Sequence, residues 1–210
     1  MIYTVTITRQ FGSLGRPIAK KLAELLNIEY YDRDIVEKAS KSLGLSISEI
    51  SDKEESAENS FLNMIYPLGT QKAEEQDKIF ETQAKIIRDL PDQQSCIIVG
   101  RCSDYILRNN KNCLHIFIYA PYQARLRNCV DYLRMDQITA ERMIAKVDRA
   151  RNNYHKKYAG YLPGDFKYKE LLIDSSAFGI EGTARVLANA IRQRFDLDHE
   201  QNQTDERHSS

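Results

Sequence analysis

Apolar residues along the chain fall into two alternating patterns. Short runs rich in β-branched and aromatic residues give way to longer stretches in which apolar positions recur every three or four residues. Tyr3–Thr8 is the first run, and Ile18, Leu22, Leu25 and Leu26 then predict a helix over Pro17–Leu26. Ile28–Tyr31 reads as a second strand and Asp32–Leu43 as a helix with Ile35, Val36 and Ala39 inward. Ser48–Ser60 is acidic, and Phe61–Gly69 is an irregular apolar patch containing Pro67. Gln71–Leu90 reads as a long helix stopped by Pro91. Strands follow at Ser95–Val99, Cys113–Tyr119 and Glu170–Asp174, with helices over Tyr122–Met135, Thr139–Tyr158 and Ile180–Phe195. The tail from Asp196 to Ser210 is polar and reads as disordered. No internal repeat is visible.

Strands alternating with helices imply a parallel sheet covered on both faces, so the strands are expected to be nearly continuous hydrophobic runs. Ligands of such sheets sit beyond the carboxyl ends of the strands. That rule selects Arg9–Arg16, Asp32–Arg33, Gly100–Arg101 and the segment after Asp174.

The first of these, TRQFGSLGRPIAKKL, joins a strand to a helix through a glycine-bearing turn. Gly12, Ser13 and Gly15 allow successive N–H groups to point inward as an anion nest, and a side chain at position 12 is expected to fill that nest. Pro17 suits the first helical turn, whose free N–H groups attract anions. A P-loop reads G-x-x-x-x-G-K-[ST], whereas here Gly15-Arg16-Pro17 stands at its end. Arg9 and Arg16 flank the turn and would bring the charge that lysine brings elsewhere. The bland alternative is a plain joint with surface arginines. At VGRCSDYI, Arg101 sits at a strand end, placed either to hold a phosphate or to pair with Asp104 three residues on. In the 139–158 helix Arg142, Lys146, Arg149, Lys156 and Lys157 fall on one side, and Met143, Ile144, Val147, Tyr154 and Tyr158 on the other. That face is either solvated or a lid. Arg149 and Arg151 stand about 200° apart on an unbroken helix, so both face one phosphate only if the helix ends or bends between them. His115 reads as a core or edge residue and His155 as a solvated one.

Composition narrows the classes. The 210 residues fit one large domain. The 30 basic and 30 acidic residues cancel, which argues against sequence-blind nucleic-acid binding. Four cysteines without a C-x-x-C pair argue against zinc. The N-terminus has no signal-peptide pattern, and no apolar run reaches the roughly 18 residues a membrane span needs. A cytoplasmic location with free thiols is expected.

The order and spacing of these pieces resemble the cytidylate kinase-like branch of the P-loop nucleoside monophosphate kinases, over nearly the whole chain to about Phe195. The resemblance rests on ITRQFGSLGRPIAKKLAELL, on Asp32 in YYDRD, on Gly100-Arg101 in IIVGRCSDYI, on DRARNNY at 148–154 and on the IDSS…GIE segment at 173–181. It implies an α/β three-layer P-loop NTPase fold with a parallel sheet of about five strands. It also implies a single domain over 1–195, with a helical monophosphate-binding insertion at 44–70 and a helical lid at 136–165, followed by a tail at 196–210. The implied reaction transfers the ATP γ-phosphoryl group to CMP or dCMP with Mg²⁺, whose ligands the resemblance leaves unknown. Gly12, Ser13, Leu14, Gly15 and Arg16 would bind the ATP phosphates. Asp32, Lys38 and Arg101 would hold the acceptor, and Arg16, Arg149 and Arg151 would act in catalysis. The P-loop lysine is absent, and Cys102 stands where the family has an aspartate that helps recognise cytosine. A kinase of another small metabolite and a nucleotide-binding regulator without turnover are the alternatives. The partner in each case is a small nucleotide, with no nucleic acid and no membrane.

Overall fold

Five strands pair in the order β2-β3-β1-β4-β5. They are β1 (Thr4–Arg9), β2 (Glu29–Tyr31), β3 (Cys96–Val99), β4 (Cys113–Tyr119) and β5 (Leu171–Asp174). Every pairing is parallel, with Thr4 opposite Cys96 on one side and Cys113 on the other. Parallel neighbours need long crossovers. Helices supply them, namely α1 (Gly15–Leu26), α2 (Ala73–Asp89), α3 (Ser103–Ile106), α4 (Tyr122–Arg127) and α5 (Gln137–Ala159), and α6 (Gly179–Phe195) follows the last strand. This computed structural model describes residues 1–32 and 73–197. The expected 32–43 helix beyond Asp32, Lys38, the acidic and apolar segments, the 44–70 insertion and the tail from 198 lie outside the described residues.

The sheet is covered on both faces. Val5, Ile7, Ile97, Val99, Leu114, Ile116 and Ile118 pack against Ile18 and Leu22 of α1 and Leu187 and Ile191 of α6. On the opposite face Cys96, Ile98 and Cys113 meet Ile86 and Ile87 of α2 and Ile106 of α3. A third cluster, with Phe11, Cys129, Met135, Ala140, Ile144 and Val147, lies under the loop after β1 and joins it to α5. All four cysteines are buried free thiols.

β1 departs from the expected continuous apolar run. Thr4, Thr6 and Thr8 are buried alternately with Val5 and Ile7. Buried hydroxyls need partners, and these have them. Thr6 Oγ1 lies 2.7 Å from His115 Nδ1, and Thr8 Oγ1 donates to the carbonyls of Ile116 (3.3 Å) and Pro163 (3.0 Å). The expected 122–135 helix also breaks. After α4 the chain widens into a π-helical turn over Asn128–Tyr132, closed by Leu133 N–H donating to the Asn128 carbonyl at 3.1 Å.

A buried polar cluster locks α3 to α5 and to the chain leading into β5. Asp104 is 1% exposed, and His155 Nε2 lies 3.0 Å from each of its oxygens. Tyr161 OH donates to Oδ2 at 3.1 Å, and the Lys169 ammonium pairs with the same oxygen. His155 Nδ1 faces the Tyr161 carbonyl at 2.9 Å. Both ring nitrogens therefore face acceptors. His155 is thus a buried structural residue and not the solvated one expected from its basic neighbours. Asp104 is likewise held by these groups.

Burial pushes the Asp104 carboxyl up, but hydrogen bonds and charge from His155 and Lys169 outweigh it and hold the group well below the usual carboxylate range. A carboxylate depressed in the folded state stabilises the protein above its unfolded pKa, and that stability is lost as pH falls toward the folded value. Urea midpoints should therefore decline as pH falls below about 4. In Asp104→Asn the decline should be shallower and the neutral-pH midpoint lower, because the buried Lys169 ammonium loses its counter-charge. Equal pH slopes in the two proteins would refute the assignment.

Candidate functional site

The loop between β1 and α1 is polarised. Its carbonyl oxygens are taken from behind, residue by residue. Arg151 donates to the Arg9 carbonyl (3.1 Å), Ser13 Oγ to that of Gln10 (2.9 Å) and Arg125 to that of Phe11 (3.3 Å). Asn128 Nδ2 donates to the Gly12 carbonyl at 2.8 Å, and Ser175 Oγ to that of Ser13 at 2.7 Å. Phe11 N–H donates to Asp148 Oδ1 at 2.8 Å. The N–H groups of Gly12, Ser13, Leu14 and Gly15 have no hydrogen-bond acceptor among the described residues. A backbone sorted in this way presents successive donors to one side, which is the arrangement that binds an anion. Leu14 caps α1 with φ 55° and no side-chain bond, so the positive helix end is left for a ligand.

The two loop glycines serve different ends. Gly12 has φ 78°, and a Cβ there would lie 2.8 Å from the Arg125 carbonyl oxygen and 3.0 Å from Cys129 Sγ. Its open side thus faces α4 and the π turn, and the expectation that a side chain would fill the nest is corrected. At Gly15 a Cβ would come within 2.9 Å of Arg9 Cβ and Cδ. Gly15 lets the Arg9 side chain cross the start of α1.

The loop floors a cavity of about 600 Å³. Arg9, Arg16, Lys20, Arg101 and Arg151 line it, with Asp32 as the facing carboxylate among the described residues. Arg9 reaches Asp32 Oδ1 at 3.5 Å, Arg16 Nε pairs with Oδ2, and Tyr30 OH donates to Oδ2 at 3.0 Å. Burial raises the Asp32 carboxyl, but Arg9 and Arg16 together bring it below its ordinary value. Burial works against the charge of Arg9, which Asp32 partly restores. Burial and the neighbouring Arg9 also work against the charge of Arg151. Crowded, desolvated guanidiniums favour an incoming anion.

The helix α5 is unbroken through its 23 residues, so Arg149 and Arg151 diverge. Arg151 lines the cavity, whereas Arg149 lies on the exposed side and is not part of the lining. Asp148, three residues before Arg151, shares its face and pairs with Arg125. Arg125, Asn128 and Asp148 hold the loop; of these the sequence marks only Arg125, which with Arg127 in Tyr122–Asn128 reads as part of the basic region that is either solvated or a lid, and the structure gives it a supporting role behind the loop. The one local signal of Asp148 is its spacing from Arg151, which marks a single helix face.

At the end of β3, Gly100 (φ 77°), Arg101 (φ 61°) and Cys102 (φ 53°) are all left-handed. Non-glycine residues avoid this region, and where they occupy it they cluster at functional sites. The turn brings Arg101 and Cys102 into the cavity wall.

Comparisons agree with this geometry. Residues 4–177 match the cytidylate kinase-like family. A cytidylate kinase of Aeropyrum pernix is 25% identical over 187 residues, covering 87% of this chain and 95% of its own. An uncharacterized protein from Eubacterium ventriosum has a similar structure, with a TM-score of 0.66 at 24% identity over 90% of this chain and 98% of that one. Shikimate kinase from Bacteroides thetaiotaomicron shares the fold, with a TM-score of 0.54 at 10% identity over 91% of this chain and 99% of its own. With its parallel five-stranded sheet, its polarised loop and a match over most of its length, the chain belongs to the cytidylate kinase-like family of P-loop kinases.

Proposed function

We propose that the protein transfers the ATP γ-phosphoryl group to CMP or dCMP. The observation that carries this reading is the loop at residues 9–15, with its carbonyls tied back and its N–H groups open to a cation-lined cavity. The nest and Arg16 hold the β- and γ-phosphates. Arg101 and Asp32 hold the acceptor, and the family pattern adds Lys38, which lies outside the described residues. Arg9 and Arg151 neutralise charge on the moving group. An acceptor phosphate oxygen attacks the γ-phosphorus, the bond to the β–γ bridging oxygen breaks, and ADP leaves. Such transfer needs positioning and charge neutralisation rather than covalent help.

The same cavity speaks against an acceptor that must lose a proton. Asp32 is paired with two arginines, and both nitrogens of His155 are engaged. Among the described residues lining the cavity, no base is left over. An acceptor that is already an anion at pH 7 requires none. Among the described residues no cluster of three His, Cys, Asp or Glu side chains could hold a metal ion. Mg²⁺ keeps several waters and is held by one or two carboxylates with substrate phosphates. Both oxygens of Asp32 are taken by Arg9, Arg16 and Tyr30, so the described lining does not fit a directly held ion, and no step is routed through one. A different monophosphate acceptor is the second reading, favoured by the uncharged Cys102 in the wall.

Three measurements test the proposal. Calorimetry should show ATP binding to wild type, and coupled assays should show ADP formed with CMP. Absence of ATP binding at millimolar concentration would end the phosphotransferase reading. Arg101→Ala should weaken CMP binding by about 10- to 100-fold and leave ATP binding nearly unchanged. Equal weakening of both would misplace the acceptor. Arg151→Ala should lower kcat strongly, while Arg149→Ala should stay within about twofold of wild type. Matching losses in the two variants would contradict the divergence of their side chains.

The loop itself can be tested through its support. Asp148→Ala removes the partner of Arg125 and of Phe11 N–H. It should cost about 2–4 kcal/mol in urea unfolding, because the pair is mostly buried, and it should weaken ATP binding as well. Wild-type ATP affinity in a destabilised but folded variant would show that the nest does not depend on this pin.

A further inference from the structure

The phosphate nest and the Arg101 turn meet at one carboxylate. Asp32 follows β2 directly, and Tyr31 before it lies opposite Ile98 of β3. Asp32 therefore enters the cavity next to the turn that carries Gly100 and Arg101. Its partners come largely from the loop side. Arg9 at the end of β1 reaches Oδ1 at 3.5 Å, and Arg16 in the first turn of α1 pairs with Oδ2. Tyr30 OH donates to Oδ2 at 3.0 Å. The Arg9 stem lies across Gly15, and its Nη1 would stand 3.5 Å from a Cβ at Gly100. One guanidinium thus spans the gap between the nest and the Arg101 turn, with Asp32 fastened to it. The Arg9 and Asp32 side chains are only 13% and 11% exposed, so water and salt screen this pair weakly.

A guanidinium bonded to a carboxylate is a poor receptor for a second anion. Its N–H groups already point at the first one, and the two charges cancel at a distance. A phosphate arriving at the nest must therefore compete with Asp32 for Arg9 and Arg16. It can win, because it carries more charge and also meets the open N–H groups of residues 12–15, which Asp32 does not use. Drawing the arginines away alone would leave a mostly buried carboxylate uncompensated, which is strongly unfavourable. The exchange is easiest when another ligand takes the carboxylate at the same time. A carboxylate only accepts hydrogen bonds, and the acceptor set against Arg101 and Asp32 brings the donors.

We propose that Asp32 couples the two substrates by charge exchange: the ATP phosphates take over Arg9 and Arg16 as the acceptor takes over Asp32. The inference rests on the phosphotransferase reading and adds to it that the substrates strengthen each other's binding. Such coupling is reciprocal, so each ligand raises the affinity of the other by the same factor. Asp32 is then more than a contact of the acceptor, because its charge also sets how readily the loop takes ATP.

Calorimetry on the full chain tests this with CMP and the β,γ-methylene analogue of ATP, which does not transfer its phosphoryl group. On wild type, saturating CMP should strengthen binding of the analogue by about fivefold or more. In Asp32→Asn the analogue alone should bind about tenfold more tightly than to wild type, and CMP should no longer change that affinity. Asp32→Glu keeps the charge and should keep the coupling. Equal affinities with and without CMP on wild type would overturn the proposal before any variant is made. Coupling that survives in Asp32→Asn would also overturn it, and a lowered thermal midpoint beside that coupling would make the carboxylate structural. Weaker binding of the analogue alone to Asp32→Asn would sink it too, because Asp32 would then be holding the arginines ready for the phosphates. If wild type binds neither ATP nor the analogue, the phosphotransferase reading falls together with this one. If it binds the analogue but not CMP, the CMP reading falls with it. If it binds both independently, this one alone falls.

Discussion

The site depends on one constraint: the carbonyl oxygens of residues 9–13 must all be satisfied away from the cavity. A peptide unit that turns its N–H one way turns its C=O roughly the other, so a row of inward donors leaves a row of outward acceptors. Left unpaired in a protein interior, each acceptor is costly. The chain meets the constraint with donors drawn from α4, the π turn, α5 and the segment after β5, together with the loop's own Ser13. Most of these donors lie more than 100 positions away in sequence. The loop's shape is therefore a property of the whole domain. A glycine-rich stretch alone would be free to turn its carbonyls inward.

One side of α5 carries much of this arrangement. Val147 packs beneath the loop, Asp148 takes Phe11 N–H and Arg125, and Arg151 takes the Arg9 carbonyl. One turn further on, Tyr154 lines the cavity and His155 holds Asp104. Core packing, loop support and cavity lining thus share one rigid rod. A change in how α5 seats reaches the loop and the wall beyond Arg101 together.

Much of the fold was legible in the chain. Apolar runs and helical periodicity placed the five strands to within a residue or two, because both-face burial demands such runs. Arg101 was found at a strand end, and Gly12 to Arg16 at the first turn, for the same topological reason. Periodicity also showed that Arg149 and Arg151 diverge, but not which of them faces inward. That is decided by Val147 and Asp148, which bury the face bearing Arg151. His155 was misread because its sequence neighbours are lysines, while its actual partners are Asp104, 51 positions away, and the Tyr161 carbonyl. Hydrogen bonds between side chains and distant backbone have no periodic signature. The π turn and the short α3 are equally silent, since each is defined by a few bonds rather than by an amphipathic stripe.

The left-handed run Gly100-Arg101-Cys102 sets stability against use. A left-handed conformation costs a non-glycine residue roughly 1–2 kcal/mol, and two such residues stand in succession here. Glycine at either position would relax the turn and remove a side chain from the cavity wall. Selection for thermal resistance alone would thus be expected to erode this corner first. Arginine and cysteine in so uncomfortable a backbone are what a corner shaped for activity rather than for stability carries.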